Sequence, residues 1–102
     1  MGKYVLVYKS GRMPETDEER NEVMAKWGAW FQGLGDSVVD MGNPFAGSAS
    51  VSADGSNGAA SSGLGGYSIL KASSLDDAVS KARGCPILGA GGGVDVYETL
   101  DM

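Results

Sequence analysis

Seven residues near the start of the chain, Lys-Tyr-Val-Leu-Val-Tyr-Lys from Lys3 to Lys9, constrain what the whole can fold into. They are β-branched and aromatic, which reads as a strand. Successive side chains of a strand point to opposite faces, so Tyr4, Leu6 and Tyr8 line one face and Val5 and Val7 the other. Both faces are apolar, and a strand of that kind is covered on both sides.

The rest of the chain offers two helices for this purpose. Thr16 followed by Glu19 is a capping-box pattern, and Asp17, Glu18 and Glu19 suit the positive end of a helix dipole. Apolar residues then recur at Val23, Trp27, Trp30, Phe31 and Leu34, one helical stripe that Gly35 closes. Gly28 and Gly33 inside this helix each cost about 1 kcal/mol against alanine and are read as points where another backbone comes close. A second strand is expected over Ser37–Met41. From Gly42 to Gly66, Gly, Ala and Ser dominate and Asp54 is the only charge, as in a flexible linker. Asp54-Gly55 and Asn57-Gly58 are hairpin-type turn signals, so a weak strand near Ala49–Ala53 and then a mobile loop are expected. Gly66–Ala72 is the next strand. Ser73 or Ser74 then caps a helix whose stripe is Leu75, Ala78, Val79 and Ala82, ended by Gly84 and Pro86. Val94–Leu100 is the last strand.

The order is β-α-β, an irregular Gly/Ser/Ala-rich insertion, then β-α-β. This is the ferredoxin-like arrangement, an α+β fold with an antiparallel sheet of four main strands and two helices on one face. It is expected as a single domain over residues 1–102. Two helices cover one face only. The first strand is apolar on both, and the last presents Val94 and Val96 on one side and Tyr97 on the other. An exposed apolar face on the order of several hundred Å² is rare on a soluble monomer. A homodimer through that sheet face, made by two-fold symmetry, is therefore expected.

Charge and composition exclude several classes of function. The net charge is −5 and the 8 basic residues are scattered, so the footprint for neutralising phosphates is missing and nucleic acid is an improbable partner. No apolar stretch approaches the ~20 residues that span a bilayer, so no membrane partner is expected. The apolar part of Met-Gly-Lys-Tyr-Val-Leu-Val-Tyr is short for a signal peptide, and Leu6 stands where myristoylation prefers Ser or Thr. With 1 cysteine there is no internal disulfide, and a cytoplasmic location is the default. No histidine or cysteine spacing supports zinc, and the acidic run Glu15, Asp17, Glu18, Glu19, Glu22 reads as a solvated helix face, so no metal is expected. Gly-Ala-Gly-Gly-Gly-Val and Gly-Leu-Gly-Gly-Tyr-Ser both lead into strands, whereas phosphate-binding loops lead into helices. No cofactor is expected.

The runs from Met13 to Phe45, Gly66 to Pro86 and Gly91 to Glu98 together resemble the YCII-related family in its DGPF-domain branch. The resemblance covers nearly the whole chain. It implies a ferredoxin-like protomer and a dimeric α+β barrel, with a largely uncharacterised function. It also implies a histidine and aspartate pair in some members and one dehydrochlorinase acting on a chlorinated aromatic. The family histidine falls here around Val23 or Met24 and the aspartate near Gly33, and the chain contains 0 histidines. That chemistry cannot be carried over.

Other chemistry is sparse. Asp36 and Asp40 lie four residues apart, so a strand through both would place them on one face as an acid and a base. The plainer reading makes Asp36 a turn residue and Asp40 a solvated strand end. Cys85 follows a helix C-terminus, the wrong end of the dipole for a thiolate, and reads as a buried structural thiol. Tyr8, Trp30, Phe45 and Tyr67 are candidates to line a small apolar pocket, with Arg12, Asp40 and Asn43 as polar anchors. Core packing competes for the same aromatics. The leading expectation is a non-enzymatic or at most weakly catalytic small homodimer that binds a small, partly apolar molecule between the first helix, the Gly-Asn-Pro-Phe loop and the sheet. The alternatives are an isomerase- or lyase-type enzyme using Asp40 as base, and a regulatory or assembly module.

Overall fold

The apolar run at the start of the chain lies inside a sheet, hydrogen-bonded on both sides. The computed structural model describes residues 2–60 and 63–101. Strand β1 (Gly2–Lys9) pairs antiparallel with β5 (Leu64–Ala72) on one side and with β6 (Gly93–Glu98) on the other. The short β2 (Val38–Asp40) adds to the far edge of β5, giving the order β2-β5-β1-β6. Every pairing is antiparallel, and the order is that of the ferredoxin-like fold.

Helix α1 (Asp17–Leu34) begins where Thr16 Oγ1 accepts the Glu19 N–H at 3.1 Å. The return bond of the box is displaced by one residue, with Glu19 Oε2 accepting the Glu15 N–H at 2.9 Å. Gly35, at φ 55°, ends the helix, and its N–H donates to the Phe31 carbonyl. Residues Gly35–Ser37 then make a 3₁₀ turn, so no continuous strand runs from Asp36 to Asp40 and the shared-face argument for that pair fails. Helix α2 (Leu75–Ala82) is capped by Ser74, whose Oγ accepts the Asp77 N–H at 3.0 Å. In the insertion, β3 (Ser50–Val51) and β4 (Asn57–Gly58) form a separate hairpin. Asp54-Gly55 makes its turn, while Asn57-Gly58, expected as a second turn, pairs as strand. The middle of the expected loop, residues 61–62, lies outside the described residues.

The core occupies the helix face of the sheet. Tyr4, Leu6 and Tyr8 of β1 and Leu70 and Ala72 of β5 are buried there with Ala78 and Ala82 of α2 and Cys85. Full burial of Leu6 or Leu70 contributes roughly 1.5–3 kcal/mol each. The pleat sends Val5, Val7, Tyr67, Ile69 and Tyr97 to the opposite face, which no helix covers. Lys3 stands directly opposite Lys71 at one end of that face, and Lys9 pairs with Asp95 at 2.7 Å at the other.

Helix α1 is attached differently from α2. None of its residues is buried, although Trp27, Trp30 and Leu34 pack on the core from its margin. Gly28 and Gly33 do not serve a close approach, because a Cβ at either would meet nothing within 4 Å. Close approach occurs instead at Gly42 and Gly66. Gly42 has φ 75° and a Cβ there would collide with the Tyr67 carbonyl, while one at Gly66 would come within 2.9 Å of the Asn43 carbonyl. These two glycines let residues 42–45 run against β5. Among the described residues no helix is long and apolar enough to cross a membrane.

Candidate functional site

Because α1 rests on the sheet by its margin, a cleft of about 850 Å³ opens beneath it, lined by helix residues from Glu19 to Phe31. Val23, Trp27 and Phe31 form the helix wall, and Tyr8 and Ser68 belong to the sheet floor. Pro86, Ile87 and the segments around Arg12 and Asn43 complete the lining. The wall is aromatic: the Trp27 ring stands edge-on to Tyr8 at 4.9 Å and tilts against Phe31 at 6.0 Å. Lys9, Arg12, Lys26, Glu19 and Glu22 carry the charges of the lining, three basic and two acidic.

The floor holds a buried chain of oxygens. The Tyr8 hydroxyl donates to Ser68 Oγ at 2.7 Å, and Ser68 Oγ donates to the Met41 carbonyl at 2.6 Å. Ser68 is fully buried, the one buried polar residue among the described residues. Burial raises the Tyr8 phenol well above its ordinary pKa, against the lowering effect of its Ser68 hydrogen bond. Beside it, burial pushes the Cys85 thiol up to about 11, so it is held protonated and is not a nucleophile at neutral pH. At the rim Ser10 has φ 61°, a left-handed conformation uncommon for a residue with a Cβ, and its N–H donates to the Gly63 carbonyl at 2.8 Å.

Of the seven residues named from the sequence, the structure brings Tyr8, Arg12 and Asn43 together around the cleft; Tyr67 borders it, but the pleat turns its ring to the opposite sheet face. Trp30, Asp40 and Phe45 do not line it. Adjacent on the helix, Trp30 and Phe31 point in different directions, and it is Phe31 that lines the cleft. Trp30 packs on the core margin and its indole N–H donates to the Lys81 carbonyl at 3.1 Å. The Asp40 carboxylate accepts the Gly42 N–H at 2.8 Å, closing a local turn. Phe45 sits on the uncovered sheet face with its ring stacked on Tyr67 at 6.0 Å. Its position follows from main-chain pairing, because Phe45 N–H donates to the Gly65 carbonyl at 2.8 Å and Pro44 bridges to Gly66. In the acidic run, Asp17 pairs with Arg20 at 2.7 Å, and among the described residues no three candidate ligands come together for a metal.

Ser68 was not among the residues singled out from the sequence. The signal was present: in Gly66–Ala72 the inward positions read Gly, Ser, Leu, Ala, and a lone hydroxyl in that register must find a buried partner. Val23, one of the two positions where the resemblance places a histidine, lines the cleft with an apolar side chain, while Met24 is 66% exposed.

The sequence model of the YCII-related domain matches residues 3–102. Among solved structures the chain is similar to 5-chloro-2-hydroxyhydroquinone dehydrochlorinase (TftG) from Burkholderia phenoliruptrix AC1100, solved in complex with 2,5-dihydroxybenzoquinone. The two are 22% identical over 97% of this chain and 95% of that one, with a TM-score of 0.58, which establishes likeness of fold. No curated protein matches the chain in sequence.

Proposed function

The chain belongs to the YCII-related domain family, and on that premise we propose that it binds a small, partly apolar molecule in the cleft beneath α1, as one subunit of a homodimer closed through the open sheet face. The observation that carries this reading is the helix itself. The apolar stripe of helix α1 has five members, Val23, Trp27, Trp30, Phe31 and Leu34, yet none is buried, and three of them line a cleft of about 850 Å³. Ligand sites of roughly 300–1,000 Å³ with mostly apolar walls and few polar groups are the common kind. The chain's 0 histidines remove the simplest general base near neutral pH. The open face, with Val5, Val7, Ile69 and a Tyr97 that is 56% exposed, supports the homodimer.

A second reading, a lyase-type enzyme acting on a small ring, draws on the likeness of fold to a dehydrochlorinase. Asp40 is a poor base for it, being outside the cleft and bonded to Gly42. The test is thermal unfolding against a panel of small hydroxylated and unsubstituted ring compounds, with wild type and Val23→Phe, which fills the cleft from its wall. The expected result is a rise in Tm for wild type that Val23→Phe loses while remaining folded. No rise with any ring compound, or an equal rise in both proteins, overturns the binding reading. Disappearance of a compound on incubation decides for the enzyme.

A further inference from the structure

We infer that the cleft floor offers hydrogen-bond acceptors only, so that its ligand is a ring-sized apolar molecule presenting a neutral O–H or N–H donor at its buried end. The inference rests on the reading of the cleft as a small-molecule site and adds the polarity of what enters it. The argument is a count of hydrogens. The Met41 carbonyl can only accept. It lies 2.6 Å from Ser68 Oγ, and two oxygens at that distance require a hydrogen between them, so the single Ser68 proton is committed to it. Ser68 Oγ then has nothing left to donate. The 2.7 Å contact to Tyr8 Oη is therefore filled by the phenol's own proton. Tyr8, Ser68 and Met41 all line the cleft; Ser68 is itself fully buried, so the hydroxyl left to meet a ligand is that of Tyr8, which retains a lone pair and no free hydrogen.

Hydroxyls ordinarily serve as donor or acceptor as a ligand requires. Here the carbonyl at the end of the chain removes that freedom. A carbonyl, ether or carboxylate brought to the floor would meet oxygen with oxygen and leave a buried acceptor unpaired, which is costly. A full cation is disfavoured for a different reason: Tyr8, Ser68 and Met41 carry no formal negative charge to offset its desolvation. The chain also ends in an atom that cannot take a proton onward at neutral pH, so it orients a ligand and does not relay its proton.

The test compares phenol with anisole, the same ring with and without the donor, by NMR titration of the indole signals of the full-length protein. Anisole is the more apolar of the two, so hydrophobic burial alone would rank it first. The expected result is phenol binding at least about tenfold more tightly than anisole. Tyr8→Phe, which deletes the phenol acceptor, should bring that ratio to within about threefold. Ser68→Ala releases the Tyr8 proton and should raise the affinity for anisole; the wild-type comparison stands even if that variant folds poorly. Saturable binding of both rings to wild type within about twofold overturns the acceptor-only floor and leaves the small-molecule reading standing. Absence of binding by either ring, combined with no response in the thermal panel, overturns both.

Discussion

The Trp30 indole N–H and the Lys81 main-chain carbonyl, 3.1 Å apart, join the second half of α1 to the last turn of α2. Lys81 is one of the last residues of α2, where carbonyls lack partners within their own helix. Trp30 supplies a donor and lays its ring against Gly84, where even a Cβ would approach within 3.2 Å. The bond holds one half of α1 down while the half bearing Val23 stands over the cleft. Trp30→Phe keeps an aromatic ring but loses the donor, and should destabilise the protein by about 1–3 kcal/mol. Urea unfolding at constant m measures it; a change under about 0.5 kcal/mol would place the anchoring of α1 elsewhere.

Two glycine substitutions should move stability in opposite directions. Gly28→Ala lies at an exposed helix position with nothing within 4 Å of the new Cβ, and should stabilise by about 0.5–1 kcal/mol. Gly42→Ala combines φ 75° with a collision against the Tyr67 carbonyl and should cost about 2 kcal/mol or more. The pair is read from denaturant midpoints. Equal and small effects would show that residues 42–45 do not run against β5 in solution.

The open sheet face is testable by one charge. Val7 lies at its centre, opposite Tyr67 on one side and Asp95 on the other. Val7→Glu adds a carboxylate next to Asp95 without touching the helix-side core. Sedimentation equilibrium should find a dimer for the native chain and a monomer for the variant. A native monomer at high micromolar concentration removes the proposed interface.

Stability should fall with alkaline pH. The Cys85 thiol is raised by burial from 9.0 to about 11, so the folded state binds its proton more tightly than the unfolded state does. Its contribution is fully present below pH 9 and is lost as pH rises from 9 to about 11. The Tyr8 phenol, also raised by burial, extends the loss to higher pH. Unfolding midpoints across this range should decline, and Cys85→Ala should flatten the part between 9 and 11. Labelling by iodoacetamide should be slow at neutral pH for the same reason. Rapid labelling of the folded protein at pH 7 would contradict the burial of this group.

Local chemistry was legible in the chain. Thr16 and Ser74 cap their helices as their spacing indicates, since a cap is a bond between residues three positions apart. The alternation of β1 placed Tyr4, Leu6 and Tyr8 together on the core face, because the pleat leaves no other choice. The element order, the two-helix limit and the uncovered face follow from such short-range rules. The site was legible only in part. Phe45 was expected beside Tyr8, yet pairing of residues 42–45 with β5 sends it to the opposite face with Tyr67. Trp30 and Phe31 are adjacent and so diverge by about 100° around the helix, but which of them meets the cleft depends on where the end of α2 lies. The commitment of the Tyr8 proton depends on Ser68, and that of Ser68 on Met41, contacts between segments far apart in the chain. The sequence by itself determined the periodicities, the caps and the faces, because these are set by residues within a turn or a strand of one another. Only the tertiary structure decided what the cleft offers a ligand, because a hydroxyl becomes donor or acceptor according to partners that long-range packing brings to it.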